Sequence, residues 1–387
     1  MAPKTIAVYP LSADPIHYGH LSNVTAAVTS GLFDEVVVAL GHNPTKKYLF
    51  NLEERLDLAK RTVEAAGLDK TKVRVESFTG LLRNYAILNG ADFIVKGCRN
   101  GTDWDYENLL SEFNDEYGLQ TLVLPAKKEL RNLSSTYVKA IAVEGGLVHE
   151  LVHPATKQAL EEKLRGVSLV GVTGNMGAGK STFCNEIVEY AKNKDVEIHH
   201  VDFDKLVHSL WQGDSPLANK VKEKLVDAFG EGVFDSPELN RKKLAGIVFG
   251  DDAKRKQLAD IVYMPALLKL EEEVRKMKGV VLVDAAYFTE YNMLPLVNYN
   301  VVVVGCEKQE RLNRILKRDG LTKEQLEAKV KAQHSPELRK QLIKKAQEKQ
   351  HYGFYHEVDS TNKVNFEDVL AKLQAYFPLY KSSGDKK

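Results

Sequence analysis

Two α/β domains in series, each built on a parallel sheet, are the fold class this sequence predicts. Three observations carry the prediction. Short apolar runs alternate with amphipathic stretches twice over, once from residue 5 and again from residue 167. Each series opens with an apolar run that ends in a loop rich in small residues, YPLSADPIHYGH (9–20) and VTGNMGAGKS (172–181). The chain of 387 residues is also longer than one hydrophobic core normally serves, so two or three domains are expected.

In the first series, strands are expected at TIAVYP (5–10), EVVVAL (35–40), KVRVES (72–77), DFIVKGC (92–98) and QTLVLP (120–125). Strand–helix alternation of this kind gives a parallel sheet with helices on both faces. The clearest helix is NLEERLDLAKRTVEAAG, in which Leu52, Leu56, Ala59, Val63 and Ala66 recur near helical spacing. Asn51 with Glu54 reads as a capping box, and Gly67 as its stop. The polar stretch TKQALEEKLRG (156–166) is expected to be helical, with domains at 1–164 and 165–381 and a frayed tail at 382–387.

The second series predicts a strand at VSLVGVTG, a helix over 181–193, and strands at 197–202, 279–284 and 299–305. Long charged helices are expected over 216–229, 241–277 and 307–350.

Composition excludes several classes. A net charge of +1 gives no global attraction to nucleic acid or an anionic membrane. The three cysteines, Cys98, Cys184 and Cys306, are scattered and form no CxxC, which fits a reducing compartment. The apolar runs are strand-sized, so no membrane insertion is expected, and the N-terminus has no targeting pattern. A cytoplasmic location follows. No zinc, haem or flavin cofactor is expected, and oligomeric state is left open.

The run Gly174-Asn175-Met176-Gly177-Ala178-Gly179-Lys180-Ser181 is G-x-x-x-x-G-K-[ST] between a strand and a helix. In that setting backbone amides, continuing to Thr182, cradle the phosphates of ATP, Lys180 reaches the β- and γ-phosphates, and Ser181 ligates Mg2+. Asp202 ends a predicted strand, where a carboxylate takes a proton from an attacking hydroxyl or holds Mg2+ through water. The alternative is a carboxylate that caps the next helix. His199, His200 and His208 read as packing or surface residues. Arg311, Arg314 and Arg318 share one helical face, either as a lid that stabilises a transferring phosphoryl group or as a solvated surface.

On VTGNMGAGKST, VDFDKLVH, LNRKKLAGIVFGDDAKRKQLADIVYMP and RILKRDGLTKEQLEAKVKAQ, the segment from 167 to 376 resembles dephospho-coenzyme A kinase. The resemblance implies a P-loop kinase that moves the γ-phosphoryl group of ATP to a ribose 3′-hydroxyl of dephospho-coenzyme A. It makes Asp202 the base and Arg314 and Arg318 the lid. The chain departs from the family at Met264-Pro265, at AYFTE (286–290), which keeps only Glu290, and at HSPELRK (334–340).

The pair His17 and His20 admits three readings: a metal site, a purely structural role, and a grip on phosphate. A zinc site needs a third ligand, and Asp14 is the nearest candidate. A phosphate grip needs Gly19 and His20 at a helix start, where free amides, the dipole and imidazole N–H groups all favour an anion. With NPTKKYLFNLEERLDLAK (43–60), VKGCRNGTDWDYE (95–107) and NLSSTYVKAI (132–141), residues 5–160 resemble the Rossmann-like HxGH nucleotidyltransferases, and most of all bacterial-type phosphopantetheine adenylyltransferase. The resemblance implies adenylyl transfer from ATP to 4′-phosphopantetheine. It places His17 and His20 on the ATP phosphates, Arg99 and Glu107 at the nucleotide, and Ser134, Ser135 and Thr136 near the phosphates. Lys46 and Lys96 would meet the acceptor phosphate, and Ser12 both substrates. Leu11 stands where the family has glycine, and Lys96 where arginine is usual.

In this order the two halves resemble a bifunctional coenzyme A synthase, in which the first product is the second substrate. The alternatives are the same two folds acting on another phosphorylated acceptor, or a nucleotide-binding regulator with one inactive half.

Overall fold

The computed structural model describes residues 4–235, 238–248, 251–319 and 333–378, without the side chains of Tyr106, Leu110, Phe113, Arg241, Asp252, Arg318 and Asp319. The expected tail at 382–387 lies outside these residues. The chain forms two units. One takes residues up to Leu160 together with 348–352, and the other takes 161–347 and the residues from Gly353 on. The division falls inside the helix Pro154–Arg165.

The first unit contains strands β1 (Ile6–Leu11), β2 (Glu35–His42), β3 (Val73–Thr79), β4 (Phe93–Cys98) and β5 (Gln120–Pro125). They pair in parallel in the order β3-β2-β1-β4-β5. Val8, Val37, Ala39 and Ile94 are fully buried, as expected for central strands covered on both faces. The helix Leu52–Ala65 starts on the expected box: Glu54 N–H donates to Asn51 Oδ1 at 2.9 Å and Asn51 N–H to Glu54 Oε2 at 2.8 Å. Its buried face differs from the expected stripe. Arg55, Leu58, Ala59, Thr62 and Val63 are buried while Ala66 is exposed, because the guanidinium of Arg55 finds polar partners inside.

The second unit contains β6 (Val167–Thr173), β7 (Ile198–Asp202), the two-residue strands β8 (Phe234–Asp235) and β9 (Glu238–Leu239), then β10 (Gly279–Asp284), β11 (Val301–Gly305) and β12 (Tyr355–Asp359). The main sheet is parallel in the order β12-β11-β6-β10-β7. Its core joins Val170, Val172, Phe183, Ile187, Leu282 and Val302.

Three expectations are corrected. The helix expected over 241–277 is two, Arg241–Val248 and Asp252–Val274, because Asp251 accepts from Lys254 N–H at 3.0 Å and starts a new helix. The helix expected over 307–350 is also interrupted: Lys308–Asp319 is followed, beyond the undescribed 320–332, by Pro336–Gln350. Ser335 caps the latter, with Leu338 N–H donating to its Oγ at 3.1 Å, and Pro336 takes the first position. Strand β12 was not expected, being a short edge strand of mixed polarity. Among the described residues no helix is long and apolar enough to cross a membrane.

Candidate functional site

In the first sheet the strand order reverses between β1 and β4, and the carboxyl ends of such strands form a ligand crevice. A cleft of about 560 Å³ opens there, lined by Ser12, His17, His20, Lys46, Lys96, Arg99, Glu107, Ser134 and Ser135. Leu11 also lines it. Thr136 does not; it lies exposed one position into the helix Ser135–Val143.

His17 is the N-cap of the helix Tyr18–Thr29. Its Nδ1 accepts from Gly19 N–H at 3.1 Å and His20 N–H at 3.4 Å, while His20 Nδ1 accepts from His17 N–H at 3.3 Å. The rings stack with centroids 3.6 Å apart. An amide only donates, so each Nδ1 carries a lone pair and each neutral ring keeps its proton on Nε2. Burial, then His20 and Arg99, lower His17 to a pKa of about 2. Burial, then Arg99, lower His20 to about 4. Both rings are therefore neutral donors through Nε2 at neutral pH.

This geometry corrects the expectation of free amides at the helix start. Tyr18 N–H donates to Leu151 O at 2.9 Å, and the Gly19 and His20 amides are spent on His17. Gly19 is required by crowding, because a Cβ there would sit 2.9 Å from the His17 ring. The helix Ser135–Val143 differs. Ser134 Oγ accepts from Tyr137 N–H at 3.1 Å and Ser135 Oγ donates to Pro15 O at 2.8 Å. The first-turn amides of Ser135 and Thr136 have no acceptor within the helix and suit an anion.

The zinc reading of the histidine pair loses its third ligand. Asp14 is 2% exposed, and its oxygens accept from the amides of Leu49 and Phe50 and from Lys139 Nζ at 2.8 Å. Burial alone would raise its pKa, but these partners hold it below the ordinary value. The cations of the cleft are arranged unequally. Lys96 pairs with Glu107 at 2.9 Å and Arg99 with Asp103 at 3.0 Å. Lys46 Nζ donates to Ser12 Oγ at 3.3 Å, and among the described residues it has no carboxylate partner.

Arg55 was not expected in this role. Fully buried, it donates to Ser12 O at 2.6 Å and Gly41 O at 3.1 Å, and stacks 4.0 Å from the centroid of Tyr48. It thereby ties the ends of β1 and β2 together under the cleft. The signal was an arginine on the inward face of the helix.

In the second unit the loop Gly174–Gly179 joins β6 to the helix Lys180–Lys192. Gly177 and Gly179 each have φ of +80°, and a Cβ on Gly174 would lie 2.2 Å from Val304 O. Ser181 Oγ donates to Asp284 Oδ2 at 2.6 Å. Asp284, 3% exposed at the end of β10, was missed in the sequence. The available signal was an apolar strand, GVVLVD, that ends in aspartate, as a Walker-B strand does. The hydroxyl and carboxylate form a set of hard oxygen donors that fits Mg2+.

Asp202 lies level with Asp284 on the adjacent strand β7. Its Oδ1 accepts from Lys205 N–H at 3.0 Å and its Oδ2 meets Lys205 Nζ at 3.2 Å, so it does cap a helix. A carboxylate has lone pairs beyond those used, and the capping role leaves room for a proton. Beside it, Asp204 is raised to about 6, first by desolvation and then by Asp284 and Asp202, against Lys180.

Arg314 is docked. It donates to Glu310 at 2.9 Å and to Ser360 O at 2.9 Å, and Ser360 Oγ in turn donates to Ala178 O at 2.6 Å. Arg311 is buried behind the loop, its pKa lowered by that burial. The side chain of Arg318 lies outside the described residues. Thr182 is exposed in the first turn of its helix.

The departing segments prove to buttress this loop. Arg339, 1% exposed, donates to Asn175 Oδ1 at 2.7 Å and to Glu290 Oε1 at 3.3 Å. Glu290 also accepts from His334 N–H at 2.7 Å, and Met176 N–H donates to Gln333 Oε1 at 2.8 Å. Thus AYFTE and HSPELRK meet behind Asn175 and Met176.

Comparison with known proteins finds two family models that match separate parts of the chain. A dephospho-CoA kinase family model matches residues 168–348, and a cytidylyltransferase-like model matches residues 8–141. A phosphopantetheine adenylyltransferase of Streptomyces coelicolor is 44% identical over 160 residues, which are 41% of this chain and 97% of the relative. One of Thermotoga neapolitana is 41% identical over 162 residues, 41% of this chain and 97% of the relative. One of Deinococcus radiodurans is 39% identical over 164 residues, 42% of this chain and 95% of the relative.

Proposed function

The chain belongs to the phosphopantetheine adenylyltransferase family through its first unit and carries a dephospho-CoA kinase domain in its second, and from this premise we propose that it performs the last two steps of coenzyme A synthesis. Residues 1–164 carry the first activity and 165–381 the second. The protein works in the cytoplasm, in keeping with its three free cysteines.

In the first step a phosphate oxygen of 4′-phosphopantetheine attacks the α-phosphorus of ATP. The new P–O bond forms as the bond to pyrophosphate breaks, giving dephospho-coenzyme A. Two polyanions must be held in line with their charge offset, and no covalent enzyme intermediate is needed. His20 and His17 donate Nε2–H to the ATP phosphates, and the amides of Ser135 and Thr136 add further donors. Lys46 with Ser12 binds the acceptor phosphate. Arg99 and Glu107 border the nucleotide, with Lys96 held between Glu107 and the acceptor. The observation that carries this reading is the reciprocal capping of His17 and His20, which fixes two neutral donors at the cleft.

In the second step the ribose 3′-hydroxyl attacks the γ-phosphorus of a second ATP. Asp202 accepts the hydroxyl proton, Lys180 and the loop amides of 174–182 hold the phosphates, and Arg314 and Arg318 offset charge on the transferred group. Ser181 and Asp284 would hold Mg2+, which would neutralise negative charge on the phosphates of ATP during transfer.

Incubation with ATP and 4′-phosphopantetheine tests the whole reading. Coenzyme A should form through dephospho-coenzyme A. Nucleotide binding without either product would overturn it.

A further inference from the structure

Beside the Ser181–Asp284 pair lie two side chains, Cys184 and His200, that neither reaction uses. Cys184 is one turn beyond the phosphate loop on the helix Lys180–Lys192 and has no exposure. His200 sits in β7, and its Nε2 lies 3.7 Å from Asp284 Oδ2. Among the described residues, Cys184, His200 and Asp284 form one group whose sulfur, nitrogen and oxygen all lie within 4.8 Å of one another.

The polar bookkeeping of His200 is incomplete. Its Nδ1 meets Asn185 Oδ1 at 3.0 Å; that oxygen only accepts, so the ring proton is on Nδ1. In the neutral ring Nε2 then presents a lone pair to the Asp284 carboxylate, and this nitrogen is buried with no hydrogen-bond partner. Two electron-rich atoms face each other with a thiol alongside. A positive centre between them resolves the conflict.

From this geometry we infer that Cys184, His200 and Asp284 form a binding site for a thiophilic divalent cation of the Zn2+ class. Zinc holds imidazole at about 2.0–2.1 Å, carboxylate at about 2.0–2.2 Å and thiolate at about 2.3 Å. Across a tetrahedral angle, nitrogen and oxygen then stand about 3.4 Å apart, so the pair need close by only a few tenths of an ångström. Asn185 is the outer partner that sets the ring tautomer, as metal-bound histidines usually have. Binding expels the thiol proton to solvent, leaving a thiolate on the metal. The ligand mixture is softer than the hydroxyl and carboxylate that suit Mg2+. The absence of CxxC does not bear on it, since the ligands come from a helix and two strands far apart in sequence.

The site shares Asp284 with Ser181. A soft cation captured by Cys184 and His200 draws this carboxylate away from the hydroxyl. Occupancy therefore competes with loading of Mg2+ and ATP, and the second active centre acquires an inhibitory metal site.

The test uses the full chain carrying Cys98→Ser and Cys306→Ser, which leaves Cys184 as the only thiol. Titration with Co2+ alone should produce a near-ultraviolet thiolate-to-cobalt band at one equivalent, and Zn2+ should displace it. In the otherwise natural chain, competition against a metal-binding dye should show His200→Gln weakening Zn2+ binding at least about 100-fold, because losing even an outer partner costs ~10–100-fold. Zn2+ should also inhibit phosphoryl transfer less as Mg2+ and ATP rise, and His200→Gln should relieve that inhibition. The absence of a thiolate band, or unchanged Zn2+ affinity in His200→Gln, would overturn the proposal. The optical and dye measurements need no substrate, so they fail or succeed separately from the proposed reactions.

Discussion

His17 and His20 cap each other: the imidazole Nδ1 of each accepts the backbone N–H of the other, with the rings stacked at 3.6 Å. The helix start and the two imidazole N–H donors are thus one structure. Replacing His17 by alanine removes a cap, which costs about 1 kcal/mol, and frees the His20 ring. His17→Asn should recover most of that stability, since asparagine caps well, but not adenylyl transfer. Thermal midpoints together with dephospho-coenzyme A formation read the two effects apart.

Gly19→Ala places a methyl group 2.9 Å from the His17 ring. Adenylyl transfer should fall at least tenfold, with a raised KM for ATP, while phosphorylation of added dephospho-coenzyme A is unchanged. Equal loss of both activities would contradict the assignment of this turn to one step.

His20→Ala should abolish dephospho-coenzyme A formation and spare its phosphorylation. Lys180→Ala and Asp284→Asn should do the reverse and accumulate dephospho-coenzyme A. Each half-reaction is followed by chromatography of the coenzyme A species. A folded variant that lost both activities would refute two separate sites.

The lowered pKa values of His17 and His20 carry a pH dependence of stability. Above the ordinary histidine value of about 6.5, both rings are neutral whether folded or unfolded. As the pH falls through that value, the unfolded chain takes up protons that the folded rings refuse until about 4 and about 2. Stability is therefore lost on acidification below about 6.5. Denaturant midpoints between pH 8 and pH 5 should fall less steeply in a His17→Asn/His20→Ala double variant. In the native protein, NMR titration should find both imidazoles neutral throughout that range.

Arg339→Met removes the arginine from the buried Asn175 and from Glu290, which is only 11% exposed. Breaking a buried ion pair from one side costs about 3–5 kcal/mol. Phosphoryl transfer should be lost as the phosphate loop loosens, with adenylyl transfer retained. The double change Arg339→Met/Glu290→Gln should recover part of the stability, measured by chemical denaturation.

The sequence by itself determined what neighbours along the chain decide. Apolar runs located the strands of both sheets to within two residues at either end, apart from the edge strand β12. Asn51 and Glu54 announced their helix, and the loop at 174–181 announced the turn from a strand into a helix. Residue type and spacing suffice for these, because the interactions close within a turn or two.

Only the tertiary structure decided the rest. The Ser181–Asp284 bond spans 103 residues and the Arg339–Asn175 bond 164, and both follow from strand order and register, which local periodicity does not encode. The same holds for Arg55 under the first cleft. The helix starting at Tyr18 looked like an anion site of free amides, but its amides are spent on His17 and Leu151. What it offers instead is a pair of imidazole N–H groups. Sequence shows which residues carry donors; packing decides which donors are already used.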